Sequence, residues 1–88
     1  MRIALDYDDC YTKDAQFWDE VISLAKSRGH TIIIVTCRRD TLENREDIQV
    51  PHTVLFTNLA PKLGYLERMG IRFDVWVDDD PACILHGK

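Results

Sequence analysis

Apolar and polar positions fall into short alternating blocks along this chain. Ile3-Ala4-Leu5 runs into Asp6-Tyr7-Asp8-Asp9, and Thr31 to Thr36 (Thr-Ile-Ile-Ile-Val-Thr) is β-branched and apolar on both faces. Runs of this kind read as buried strands of a parallel sheet. Thr53 to Thr57 and Phe73 to Asp78 give a third and a fourth strand. Helical spacing fills the gaps. Asp14 is placed to cap a helix running to Arg28, with Phe17, Trp18, Val21, Ile22 and Ala25 on one stripe and Gly29 closing it. Asp40-Thr41-Leu42-Glu43 has capping-box spacing and opens a short polar helix towards Gln49, which Pro51 ends. Pro61 suits the first turn of a helix that reaches Met69 before Gly70, and the tail after Asp80 has room for one helical turn. The order βαβαβαβ predicts one α/β domain over residues 1–88, with a parallel sheet and right-handed crossovers. If the fourth strand returns to the far side of the first, the strand order is 4-1-2-3.

That topology gives two acidic clusters a common place. Ligand crevices in open α/β sheets lie beyond the carboxyl ends of the strands, where the strand order reverses. Here that point falls between strands one and four, so Asp6, Asp8 and Asp9 face Asp78, Asp79 and Asp80. Like charges crowded in a partly dry place are unfavourable, and raised pKa values or a bound cation must relieve them. The pattern points to a metal-dependent site. Thr36 ends strand two beside it.

Composition narrows the picture without redirecting it. Apolar content of 45% and charged content of 30% describe an ordinary globular chain. A formal net charge of −4, with no basic stripe, argues against binding along a nucleic-acid backbone. No run approaches the roughly 18 apolar residues of a membrane span, and the first residues read as a strand rather than a signal peptide. Cys10, Cys37 and Cys83 are widely spaced with no CxxC pair, which suits a reduced, cytoplasmic protein.

Four groups of residues, in order, resemble the signatures of the haloacid dehalogenase (HAD) superfamily of phosphotransferases. They are Asp6-Tyr7-Asp8, Thr36, Lys62 and Asp78-Asp79, and Asp78-Asp79-Asp80-Pro81-Ala82 looks like the form found in capless members. The resemblance implies a HAD-like Rossmannoid three-layer sandwich without a cap domain. It also implies a Mg²⁺-dependent phosphomonoester hydrolase working through an aspartyl-phosphate. Asp6 would be the nucleophile, and Asp8 the general acid and base. Thr36 and Lys62 would complete the catalytic set. Asp6, Asp8 (through its carbonyl), Asp78 and Asp79 would hold the metal, with Asp79 favoured as the direct ligand. A receiver-like domain would need an Asp where Thr57 stands, and a Toprim-like domain a Glu in place of Asp6. A non-catalytic HAD-like binding or assembly module is the alternative.

Other residues add detail. A lysine in the first turn of a helix opposes the dipole by about 0.3–1 kcal/mol, a cost that a nearby anion reverses, so Lys62 points to an anion. Arg38, with Arg39 beside it, is a candidate for holding the phosphate of a phosphorylated substrate, since a guanidinium fork suits phosphate. Cys10 stands where the family usually has Thr and hydrogen-bonds more weakly. Cys10 and Cys37 are expected near one another as buried filler. His30, His52 and His86 lack ligand spacing. Two uncovered sheet edges favour a homo-oligomer.

Overall fold

The computed structural model describes residues 1–86. Four strands, β1 (Arg2–Asp6), β2 (Thr31–Thr36), β3 (Val54–Phe56) and β4 (Val75–Val77), form one sheet with every neighbouring pair parallel. The order is β3-β2-β1-β4, which from the opposite edge reads 4-1-2-3. The helices are α1 (Ala15–Ser27), α2 (Leu42–Asp47), α3 (Lys62–Arg68) and α4 (Ala82–Leu85), with a 3₁₀ turn at Tyr11–Lys13. None of the described helices is long and apolar enough to cross a membrane.

Alternation along β1 and β2 divides the core between the two faces of the sheet. Ala4 and Val35 point to one face and pack with Leu66 of α3, joined by Phe73 and Trp76. Leu5 and Ile34 point to the other, under Trp18 and Ile22 of α1 and the buried Tyr11. A parallel sheet sandwiched in this way needs apolar side chains in both directions, which is why β2 is β-branched throughout. Asp6 shares the parity of Ala4, so it lies on the α3 face, at the end where α3 begins.

Local chemistry sets the boundaries. Asp14 caps α1, accepting from the Phe17 amide at 3.1 Å, and Gly29 (φ +81°) and Gly70 (φ +76°) supply the left-handed turns after α1 and α3. Thr41 rather than Asp40 caps α2, accepting from the Asn44 amide at 3.1 Å, while Asp40 pairs with Arg45. That helix stops at Asp47, short of Gln49. The fourth strand, Val75–Val77, is shorter than the expected Phe73 to Asp78. The Asp74 carboxylate accepts from the Arg2 amide at 2.7 Å, fixing β4 against β1 before ladder pairing starts. Phe17 departs from the expected stripe: it is 49% exposed and only edges the Trp18 ring, 5.1 Å between centroids.

Tyr11, unassigned by the sequence reading, ties the face under α1 together. Its hydroxyl donates to Asp19 at 2.7 Å, and the same carboxylate oxygen meets His52 Nε2 at 2.6 Å. Burial, with the Asp19 carboxylate beside it, pushes the phenol up to about 12. Its folded pKa therefore lies above its unfolded value near 10. The stability it contributes is complete below pH 10 and is lost as pH rises towards 12. Urea titrations across that range are expected to show wild type losing roughly 2–3 kcal/mol relative to Tyr11→Phe. Parallel pH profiles for the two proteins would contradict the assignment.

Candidate active site

The carboxyl ends of β1, β2 and β4 surround a crevice of about 230 Å³ lined by Asp6, Asp8, Thr36, Arg38, Lys62, Asp78 and Asp79, all seven candidates from the sequence. Asp9, Asp80, Cys37, Leu59 and Cys83 complete its wall. The loops that carry these side chains are knitted together past the strand ends. Thr57 N donates to Thr36 O at 2.9 Å and Asn58 N to Arg38 O at 3.2 Å. Three non-glycine residues, Asp9, Asn58 and Leu59, hold positive φ of 63°, 54° and 65°. All three lie in the loops after β1 and β3. Asn and Asp tolerate that conformation, but for Leu59 it is strained and held in place by the fold.

Lys62 is the centre of the arrangement. It is 1% exposed, and its Nζ donates to Asp6 Oδ1 at 2.6 Å and to Asp78 Oδ2 at 2.5 Å. Burial alone would lower a lysine's pKa, but the two carboxylates reverse that and raise it. Lys62 is therefore a fixed cation. These are the anions that offset its placement at the start of α3. One cation cannot balance two buried carboxylates. Burial pushes Asp6 up to about 6 against the pull of Lys62, and Asp79 and Asp78 add to the rise.

The two motif-like acids at the end of β4 take different roles. Asp78, its side chain only 2% exposed, is committed to Lys62 and accepts the Asp80 amide at 3.0 Å. Asp79 is exposed and converges instead on Asp6 and Cys10: one ligand atom from each of the three lies within 4.8 Å of the others. Cys10 Sγ is 3.8 Å from Asp79 Oδ1, and burial raises its thiol to about 11. Asp8 is not in that group. Its carboxylate sits in the fork of Arg38, Nε to Oδ2 at 3.0 Å and Nη2 to Oδ1 at 2.7 Å.

Arg38 is held on three sides. Besides Asp8 it pairs with Asp47 of α2 at 2.5 Å and lies over the Tyr7 ring, 5.5 Å from its centroid. The fork expected to meet phosphate is thus already filled by carboxylates of the chain itself. Thr36, 1% exposed, accepts the Arg38 amide at 3.2 Å through Oγ1 and so shapes the turn that aims the guanidinium. Asp47 and Tyr7 carried no signal in the sequence, because a tertiary ion pair has no characteristic spacing. Cys37 turns out to neighbour Cys83, its Sγ 3.9 Å from the Cys83 carbonyl, while Cys10 belongs with Asp79. Compared with protein-family models, curated proteins and solved structures, the chain matches none.

Proposed function

We propose that this crevice hydrolyses phosphomonoesters with Mg²⁺, by a HAD-like route through an aspartyl-phosphate on Asp6. The observation that carries the reading is the buried Lys62 bonded to both Asp6 and Asp78, with Asp79 beside them. A carboxylate fixed by one oxygen and open towards a crevice is oriented for in-line attack, and the fixed ammonium lies where charge on a phosphoryl group would gather. In the proposed reaction Asp6 attacks phosphorus as the leaving oxygen departs, and water then cleaves the acyl phosphate. In this reading Asp8, its side chain 43% exposed, gives a proton to the leaving oxygen and recovers one from the attacking water. The Arg38 fork on the two Asp8 oxygens has to loosen while Asp8 is protonated. Arg38 acts in this reading by orienting Asp8.

The donor set fits a hard cation. Asp6 and Asp79 offer carboxylate oxygens, and the Asp8 carbonyl would add a third; Asp78 supports the cluster through Lys62. The Cys10 sulfur is the one soft atom in the group. Mg²⁺ bound there would draw charge from the phosphoryl oxygens.

Hydrolysis of an aryl phosphate tests the reading. Turnover is expected with Mg²⁺, to fall to background with excess EDTA, and to return when Mg²⁺ is restored. A folded preparation with no metal-dependent turnover of any phosphomonoester would overturn it in favour of a binding module.

A further inference from the structure

Charge is distributed unevenly between the crevice and the rest of the chain. Six of the residues lining the crevice are aspartates and two are cations, Arg38 and Lys62, a formal excess of four negative charges. The whole chain carries a net charge of −4, so the remaining surface is balanced and the field converges on the crevice. Both cations are already engaged by carboxylates of the chain, so neither adds positive charge that the crevice has not spent. Lys62 is bonded to two carboxylates, and Arg38 is bonded to Asp8 and to Asp47, a carboxylate outside the lining. At the mouth, Asp9 and Asp80 are exposed, and the Asp9 carboxylate pairs with no cation among the described residues. Arg39 is exposed nearby but does not line the crevice.

Resting on the phosphatase reading, we propose that the substrate is a phosphomonoester whose carrier is positively charged around the phosphate. A divalent cation and a phosphoryl dianion cancel one another in charge. The leaving group then meets the rim formed by Asp9 and Asp80, which attracts ammonium or guanidinium groups and repels further phosphates. Nucleoside triphosphates and nucleic-acid ends are poor substrates on this account.

The test compares two phosphoserine peptides that differ only in flanking arginines or glutamates, with an aryl phosphate as the reference whose carrier group is uncharged. Aminoethyl phosphate separates a small cationic carrier from a peptide. At low ionic strength kcat/KM for the arginine peptide is expected to exceed that for the glutamate peptide by about tenfold or more. High salt should shrink the ratio to within about threefold. Asp9→Asn, which suits the positive φ, should lower it about two- to threefold. Equal rates for the two peptides, or faster turnover of the acidic one, overturn the proposal and leave the phosphatase reading intact. If no phosphomonoester is hydrolysed, fluorescence anisotropy of the labelled peptides on Asp6→Asn decides. A salt-sensitive preference for the basic peptide upholds charge selection without catalysis, and its absence removes both.

Discussion

Asp6→Asn is expected to lower Mg²⁺-dependent phosphomonoester hydrolysis by a factor on the order of 10⁴, with the chain still folded. The substitution keeps the shape of the side chain and an oxygen able to accept from Lys62, but an amide has no anionic oxygen to displace the leaving group. Lys62 retains Asp78 at 2.5 Å, so it is not left buried and unpaired. Removing a carboxylate whose pKa burial has already raised to about 6 also relieves some charge crowding. Stability against urea should therefore change by less than about 1 kcal/mol. Three measurements check the result: steady-state rates, acid-quenched phosphoprotein after a short incubation with substrate, and a urea titration. Wild type should accumulate acid-stable, hydroxylamine-labile phosphoprotein, and the variant none. A variant that retains more than a tenth of the rate would exclude Asp6 as nucleophile.

What was legible in the sequence follows from how local each cause is. The strands β1 and β2 could be read directly, because a sheet covered on both faces requires unbroken apolar runs. From them followed the crevice, since a parallel sheet puts all carboxyl ends on one side and Asp6 and Asp78 each follow an apolar run. Finer matters depend on contacts distant in the chain. Asp78 and Asp79 are neighbours of the same type, and only the position of α3 decides that Lys62 takes Asp78 and leaves Asp79 facing Asp6. The occupation of Arg38 was hidden for the same reason: Asp8 lies 30 residues before it and Asp47 nine after, on separate elements. Phe17 was misplaced because α1 is only lightly covered. The stripe is real, but Trp18 and Ile22 take its inward edge, and Phe17, one residue before Trp18 and so about 100° round the helix from it, falls outside the packed face.

Lys62→Met should be the most destabilising substitution at the site. Methionine fills a similar volume and makes no bond to Asp6 or Asp78, so two buried carboxylates lose their shared cation. Breaking a buried ion pair from one side costs about 3–5 kcal/mol. A chain of 88 residues has roughly 4–13 kcal/mol in all, so the variant is expected to be largely unfolded in moderate urea. The loss should depend on pH. Without Lys62, the folded pKa of Asp6 rises further above its unfolded value of 3.8, and stability returns as pH falls through that folded pKa. The deficit is therefore largest at neutral pH and shrinks towards pH 5. Adding Asp6→Asn and Asp78→Asn to Lys62→Met removes the uncompensated charges and should restore most of the stability, though no activity. Urea titrations of wild type, single and triple variants at both pH values separate this from a packing effect. A deficit independent of pH and unrelieved in the triple variant would mean that Lys62 stabilises the fold through its aliphatic stem. The charge arrangement assigned to the crevice would then be wrong at its centre.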